Sequence, residues 1–128
     1  GQVGGVFEGL IAAITAGTPD ARYHSLRALS QISFRNAANK RQFGQTTNAI
    51  HSLSVCIEQT RHNGDLKCLA EACRALSLVV SGDRGNQDMM VAHPTIVQSL
   101  QEILAEKKGG EAEGQAGKVL NTISHLLY

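Results

Sequence analysis

Apolar residues return every three or four positions along most of this chain. Between Gly5 and Thr15 they fall at Val6, Phe7, Leu10, Ile11 and Ile14, one face of a helix. Gly17-Thr18-Pro19-Asp20 then reads as a stop and a start, because Gly ends a helix, Pro cannot continue one and Asp can cap the next. A helix is predicted from Asp20 to Phe34 with Leu26, Leu29 and Ile32 inward. A shorter one is predicted from its N-cap Asn36 to Gln45, with Phe43 as its main apolar residue. Asn48 tolerates a left-handed backbone at a corner, and Ala49 to Gln59 follows as a helix around Ile50, Leu53 and Ile57. Arg61 to Asp65 reads as a loop closed by Asp65 as N-cap. The helix to Val80 comes next, burying Leu69, Ala72, Leu76 and Val79. Beyond the Ser81-Gly82-Asp83 turn, a short helix is predicted to Ala92, and His93-Pro94-Thr95 breaks it. Ile96 to Lys107 forms another around Val97, Leu100 and Leu104. Gly109 to Gly114 reads as a mobile loop, and a last helix covers Glu113 to Leu127. No period-two alternation supports a strand, so the class is all-α.

The helices repeat. Leu26-Arg27-Ala28-Leu29-Ser30 returns 47 residues later as Cys73-Arg74-Ala75-Leu76-Ser77. Phe7, Ile50 and Val97 correspond, as do Leu10, Leu53 and Leu100, and Ile14, Ile57 and Leu104, at spacings of 43 and 47. In the longer helix Leu29, Leu76 and Leu120 match, and so do Ile32, Val79 and Ile123, at 47 and 44. Asn39 matches Asn86 and Phe43 matches Met90, again at 47. Such a period, with three helices per unit, is the armadillo spacing. The segment from Ser25 to Ser33 resembles that family's A-L-W-A-L-S-N-I-A stretch. Asn36-Ala37-Ala38-Asn39-Lys40 is similar to its N-x-x-N-K turn into the short first helix. Gly5-Val6-Phe7 lies where the family writes Gly-Ala-Ile at a corner, and Asn48 and Thr95 take that place in the later copies. Because Thr95 follows Pro94, the last corner is expected to be built differently. HEAT repeats, with two helices per unit, are the nearest alternative, and the two short helices favour three.

The resemblance implies a right-handed α-solenoid of about two and a half armadillo-like units. It would form one domain over residues 1–128: a partial repeat 1–17, repeats 18–62 and 63–108, and a terminal helix 112–128. Such a chain begins with a second helix and ends with a third. It is therefore expected to be a fragment of a longer array, or to have its ends covered by a partner or a second copy.

Composition narrows the function classes. Hydrophobic residues make up 42% and aromatics 4%, with no Trp, so the core is built from small and aliphatic side chains suited to close helix packing. Twelve Lys and Arg against eleven Asp and Glu leave a net charge of +1, which gives no footprint for nucleic acid or an acidic membrane surface. No apolar run approaches the ~20 residues a bilayer span needs, and no signal peptide is evident. Cys56, Cys68 and Cys73 lack disulfide-framework spacing and read as buried free thiols in a reducing compartment, cytoplasmic or nuclear. A zinc site with His51 or His62 fits poorly, since ligand pairs normally sit two to four residues apart. His24, His51 and His125 form no convergent cluster with a nucleophile, and Gly82-x-x-Gly85 is not followed by Lys-Ser or Lys-Thr. No catalytic residue, metal or cofactor is expected.

What the resemblance implies instead is recognition in a concave groove lined by the third helices. At the position of the family's Trp stand Arg27, Arg74 and Lys118, and at that of its Asn stand Gln31, Leu78 and Thr122. The Trp–Asn array that holds basic nuclear-localisation peptides is therefore absent. Three cations at one equivalent position would form a row favouring an acidic peptide or protein, as in beta-catenin-like members. Gln31, one turn beyond Arg27, could bond a peptide backbone, and Tyr23 would support it. His24, Glu71 and Gln115 would edge the groove. The competing reading of the same cations is an ordinary solvated helix face. Two functions follow: an interaction scaffold with its partner in the groove, or a structural segment that self-associates through exposed terminal helices, hiding Val6, Phe7 and Ile14.

Overall fold

The computed structural model describes residues 2–106 and 110–127, and among them every regular element is helical. Eight helices follow in order: α1 (Gln2–Ala16), α2 (Pro19–Ser33), α3 (Ala37–Gln45), α4 (Ala49–Asn63), α5 (Leu66–Val80), α6 (Arg84–Val91), α7 (Pro94–Ala105) and α8 (Glu111–Leu127). The all-α class expected from the periodicity is what forms. Lys107 and Gly109, and the side chain of His125, lie outside the described residues.

Local chemistry sets the boundaries. Thr18, not Asp20, caps α2: its hydroxyl accepts from the Ala21 amide at 3.2 Å, and Pro19 takes the first helical position, where its missing N–H costs nothing. Asn36, Asp65 and Asp83 cap α3, α5 and α6 by accepting from the amides of Asn39, Cys68 and Asn86. Asn48 is left-handed at φ 62°, as its short polar side chain allows. The segment Arg61–Asn63 is the last turn of α4 rather than a loop. Gly64, left-handed at φ 73°, supplies a sharp enough stop that no longer connection is needed. Two further expectations need correcting for the same kind of reason. Gly5 lies inside α1 and makes no corner. Glu111 to Gly114 begins α8 instead of forming a loop, with Gly110 turning the chain at φ 91° and Glu111 and Glu113 favoured by the dipole of the first turn. The corner before α7 is indeed different: no residue there is left-handed, and Pro94 opens the helix directly.

Each helix packs on the one three positions later. α1 lies on α4 and α4 on α7; α2 lies on α5 and α5 on α8; α3 lies on α6. Leu26 and Leu29 of α2, Leu53 and Ile57 of α4, and Leu76 and Val79 of α5 are fully enclosed. Phe7 meets Phe43 edge to face, with ring centres 5.7 Å apart. In α7 the buried residues are Ile96, Leu100 and Ile103, while Val97 and Leu104 are half-buried, so its inward face is rotated from the predicted one. Phe7 and Ile14 are core residues and are not free to be hidden by a second copy; of the three residues expected there only Val6 is exposed.

The two copies of the corner between a long helix and the following short helix share one side-chain hydrogen bond. Asn39 donates its side-chain amide to the carbonyl of Ile32 at 2.7 Å, and Asn86 donates to that of Val79 at 2.8 Å. Arg35 at φ 53° and Gly82 at φ 74° hold the equivalent left-handed position. Asn86, nearly fully buried, also donates to the Lys40 carbonyl of α3 at 2.9 Å and so joins successive units. Gly44 makes this approach feasible, because a Cβ there would overlap the Asn86 side-chain oxygen.

Loss of these contacts is measurable by urea unfolding. Asn86→Ala is expected to cost roughly 2–3 kcal/mol and Asn39→Ala about 1 kcal/mol, the difference reflecting burial and the second bond. Gly44→Ala is expected to cost about 2 kcal/mol by forcing Asn86 off its carbonyls. Burial also pushes the thiols up from their ordinary 9.0, Cys56 to about 11 and both Cys68 and Cys73 to about 12. Above pH 9 the unfolded chain then loses these protons before the folded one does. Stability should therefore fall as pH rises from 9 towards 12, and less steeply in a Cys73→Ala variant.

Candidate interaction groove

Stacking α2, α5 and α8 side by side makes one surface from three equivalent helix faces. On α2, Tyr23, Arg27 and Gln31 share that face at successive turns, and Phe34 follows just beyond the helix end, 56% exposed. On α5 the face carries Lys67, Glu71, Arg74 and Leu78, and on α8 Glu111, Gln115 and Lys118. Two clefts open on it.

The first cleft, of about 470 Å³, is lined by Ser30, Gln31, Phe34, Arg74, Ser77, Leu78, Gln115 and Lys118. It brings together three of the five partner-binding residues expected from sequence: Gln31, Arg74 and Lys118. Its cations are Arg74 and Lys118, with no carboxylate among the lining residues. Phe34 and Leu78 supply apolar surface. Thr122, at the equivalent of Gln31, turns its hydroxyl onto the Lys118 carbonyl at 2.9 Å.

The second cleft, of about 410 Å³, lies nearer the starts of α5 and α8, and Tyr23, Lys67, Glu71, Glu106, Glu111 and Glu113 are among its lining residues. Here acidic groups dominate. Lys67 places its Nζ 4.0 Å from the centre of the Tyr23 ring, and the Arg27 guanidinium lies 5.8 Å from the same ring, so Tyr23 draws a cation from each of two helices. Arg27 thus belongs to the α2 face but lines neither cleft. The expected row of three free cations is modified accordingly: Arg27 rests on Tyr23, Arg74 pairs with Glu111 of α8, and Lys118 has no ion pair among the described residues.

Three residues on this face carry chemistry that the sequence left unmarked. Glu111 was hidden because its glycine-rich surroundings read as a loop. Phe34 sits one residue past the helix, where the apolar periodicity no longer assigns a side. Ser30 is 6% exposed, and its hydroxyl has no hydrogen-bond partner; the Nε of Arg74 is likewise buried and unpartnered. Nothing in a serine's position along a helix announces that.

The histidines do not converge on either cleft. His51 and His93 approach each other with ring centres 5.2 Å apart, and His24 stacks edge-on beside Tyr23. Among the described residues no three His, Cys, Asp or Glu side chains converge as metal ligands would, and no helix is long and apolar enough to cross a membrane. No family model, curated protein or solved structure matches the chain.

Proposed function

We propose that this chain is a protein-interaction module, a right-handed α-solenoid of armadillo-like repeats that holds a partner segment on the face made by α2, α5 and α8. Three features support the architecture: the three-helix period in which each helix meets its counterpart, the duplicated Asn-to-carbonyl corner, and the sequence repeat in which Asn39 matches Asn86. One observation carries the function. A cleft that spans three equivalent helices collects Arg74, Lys118 and Gln31 beside exposed aromatic and aliphatic surface, and leaves buried polar atoms unsatisfied. In this cleft the unpartnered atoms are the Ser30 hydroxyl and the Arg74 Nε, both donors that a guest's oxygen atoms can satisfy. The partner is a peptide or protein of acidic character, and the work done is recognition without bond making.

Charge reversal separates this reading from a passive surface. In pull-downs from lysate, Arg74→Glu with Lys118→Glu is expected to abolish salt-sensitive recovery of bound protein, whereas Arg84→Glu on α6, outside the groove, leaves it intact. Equal recovery with all three proteins would remove the groove as the binding surface.

A further inference from the structure

The cleft between α2, α5 and α8 contains an incomplete recognition site. Arg74 presents carboxylates with a planar edge formed by Nε and Nη2, the pair that grips two oxygens at once. Nη2 is taken by Glu111 of the first turn of α8, while Nε is buried with no partner. Ser30, 94% enclosed by its 6% exposure, lines the same cleft and has no partner for its hydroxyl. Buried donors without acceptors cost free energy, and a guest that supplies oxygen recovers it. Lys118 adds a positive charge on the facing helix, and Phe34 and Leu78 add apolar surface beside the donors.

We infer that this cleft anchors an Asp or Glu side chain of an extended partner segment, with a neighbouring apolar side chain laid on Phe34 and Leu78, and that Glu111 competes with that guest for Arg74. The chain thus carries its own weak substitute for the ligand. Both partners of the resident pair remain half-open to water, Arg74 at 43% and Glu111 at 50% side-chain exposure, so the pair is screened and readily exchanged. A side chain is the source of the carboxylate rather than a chain terminus. Termini are captured by clusters of free backbone N–H groups, and the cleft-lining residues of α2, α5 and α8 lie within helices whose amides are already bonded, with only Phe34 just outside. This inference rests on the groove reading and adds the anchored residue and its internal competitor.

The test begins with random peptides displayed on phage and selected on the whole chain, followed by synthesis of the recovered sequences with acetylated and amidated ends. Titration calorimetry then compares wild type with Arg74→Gln, Ser30→Ala, Lys118→Gln and Glu111→Gln. Recovered peptides should share an acidic residue beside an apolar one. Affinity should drop about tenfold or more with Arg74→Gln, less with Ser30→Ala or Lys118→Gln, and rise about threefold with Glu111→Gln. Replacing the peptide's acid by its amide should cost as much as Arg74→Gln. That comparison uses only wild-type protein and holds even if a variant misfolds. Peptides that bind on this face equally well as amides, that require a free C-terminal carboxylate, or that bind Glu111→Gln no more tightly than wild type would overturn the inference and leave the groove reading standing. Failure to recover any peptide bound to this face would overturn both.

Discussion

A long helix that ends in a tight corner leaves carbonyl oxygens with no amide in reach. In this chain an asparagine from the next short helix donates to one of them, Asn39 to Ile32 and Asn86 to Val79. The same asparagine's backbone amide is held by the capping side chain of Asn36 or Asp83. One residue is thus fastened at both its amides, and the angle between long and short helix is fixed twice over. Asn86 reaches back to α3 as well, through the gap that Gly44 leaves open. Because both corners are fastened by the same asparagine bond, α2 and α5 enter them in equivalent directions and present equivalent faces. Two of the three groove helices, α2 and α5, are thus aligned by the corner, and α8 extends the row by packing on α5.

The apolar core and the surface answer to different constraints. Inside, small side chains such as Ala72, Ala75 and Cys73 let α5 sit closely between α2 and α8. On the groove face, charge is sorted along the helices. Glu111 and Glu113 occupy the first turn of α8, where the helix dipole favours them, and Arg74 and Lys118 stand further along their helices. Arg61 plays the opposite part on another face, donating to Glu102 and Glu106 at 2.6 Å each and tying α4 to α7. A cation with two acids at hand is a fastener, whereas Arg74 holds one acid and keeps its Nε without a partner.

The repeat was legible because burial imposes it. Leu29 and Leu76 must point inward at the same depth, so apolar spacing reports them directly, and a capping Asn or Asp has few substitutes. Helix ends were less legible. Gly64 alone stops α4, yet Arg61, His62 and Asn63 beside it look like loop residues, and the hydrogen bonds that keep them helical cost the sequence no signature. The groove was legible only as a register. The spacing of Arg27, Arg74 and Lys118 put them on equivalent helices, but whether a cation is free, rests on a ring or pairs with an acid depends on neighbours far along the chain. Glu111 lies 37 residues from Arg74, and no local pattern connects them.

Arg35 and Gly82 reach one backbone shape by opposite routes. Glycine adopts the left-handed conformation without steric resistance but gives up a wide range of alternatives when it is fixed there. Arginine surrenders fewer alternatives and instead bears the crowding of its Cβ. The penalty at Gly82 is thus mainly entropic and grows with temperature, whereas that at Arg35 is mainly steric and does not. On warming, the penalty at Gly82 therefore grows while that at Arg35 stays nearly constant, so two corners of one shape draw on different parts of the folding free energy.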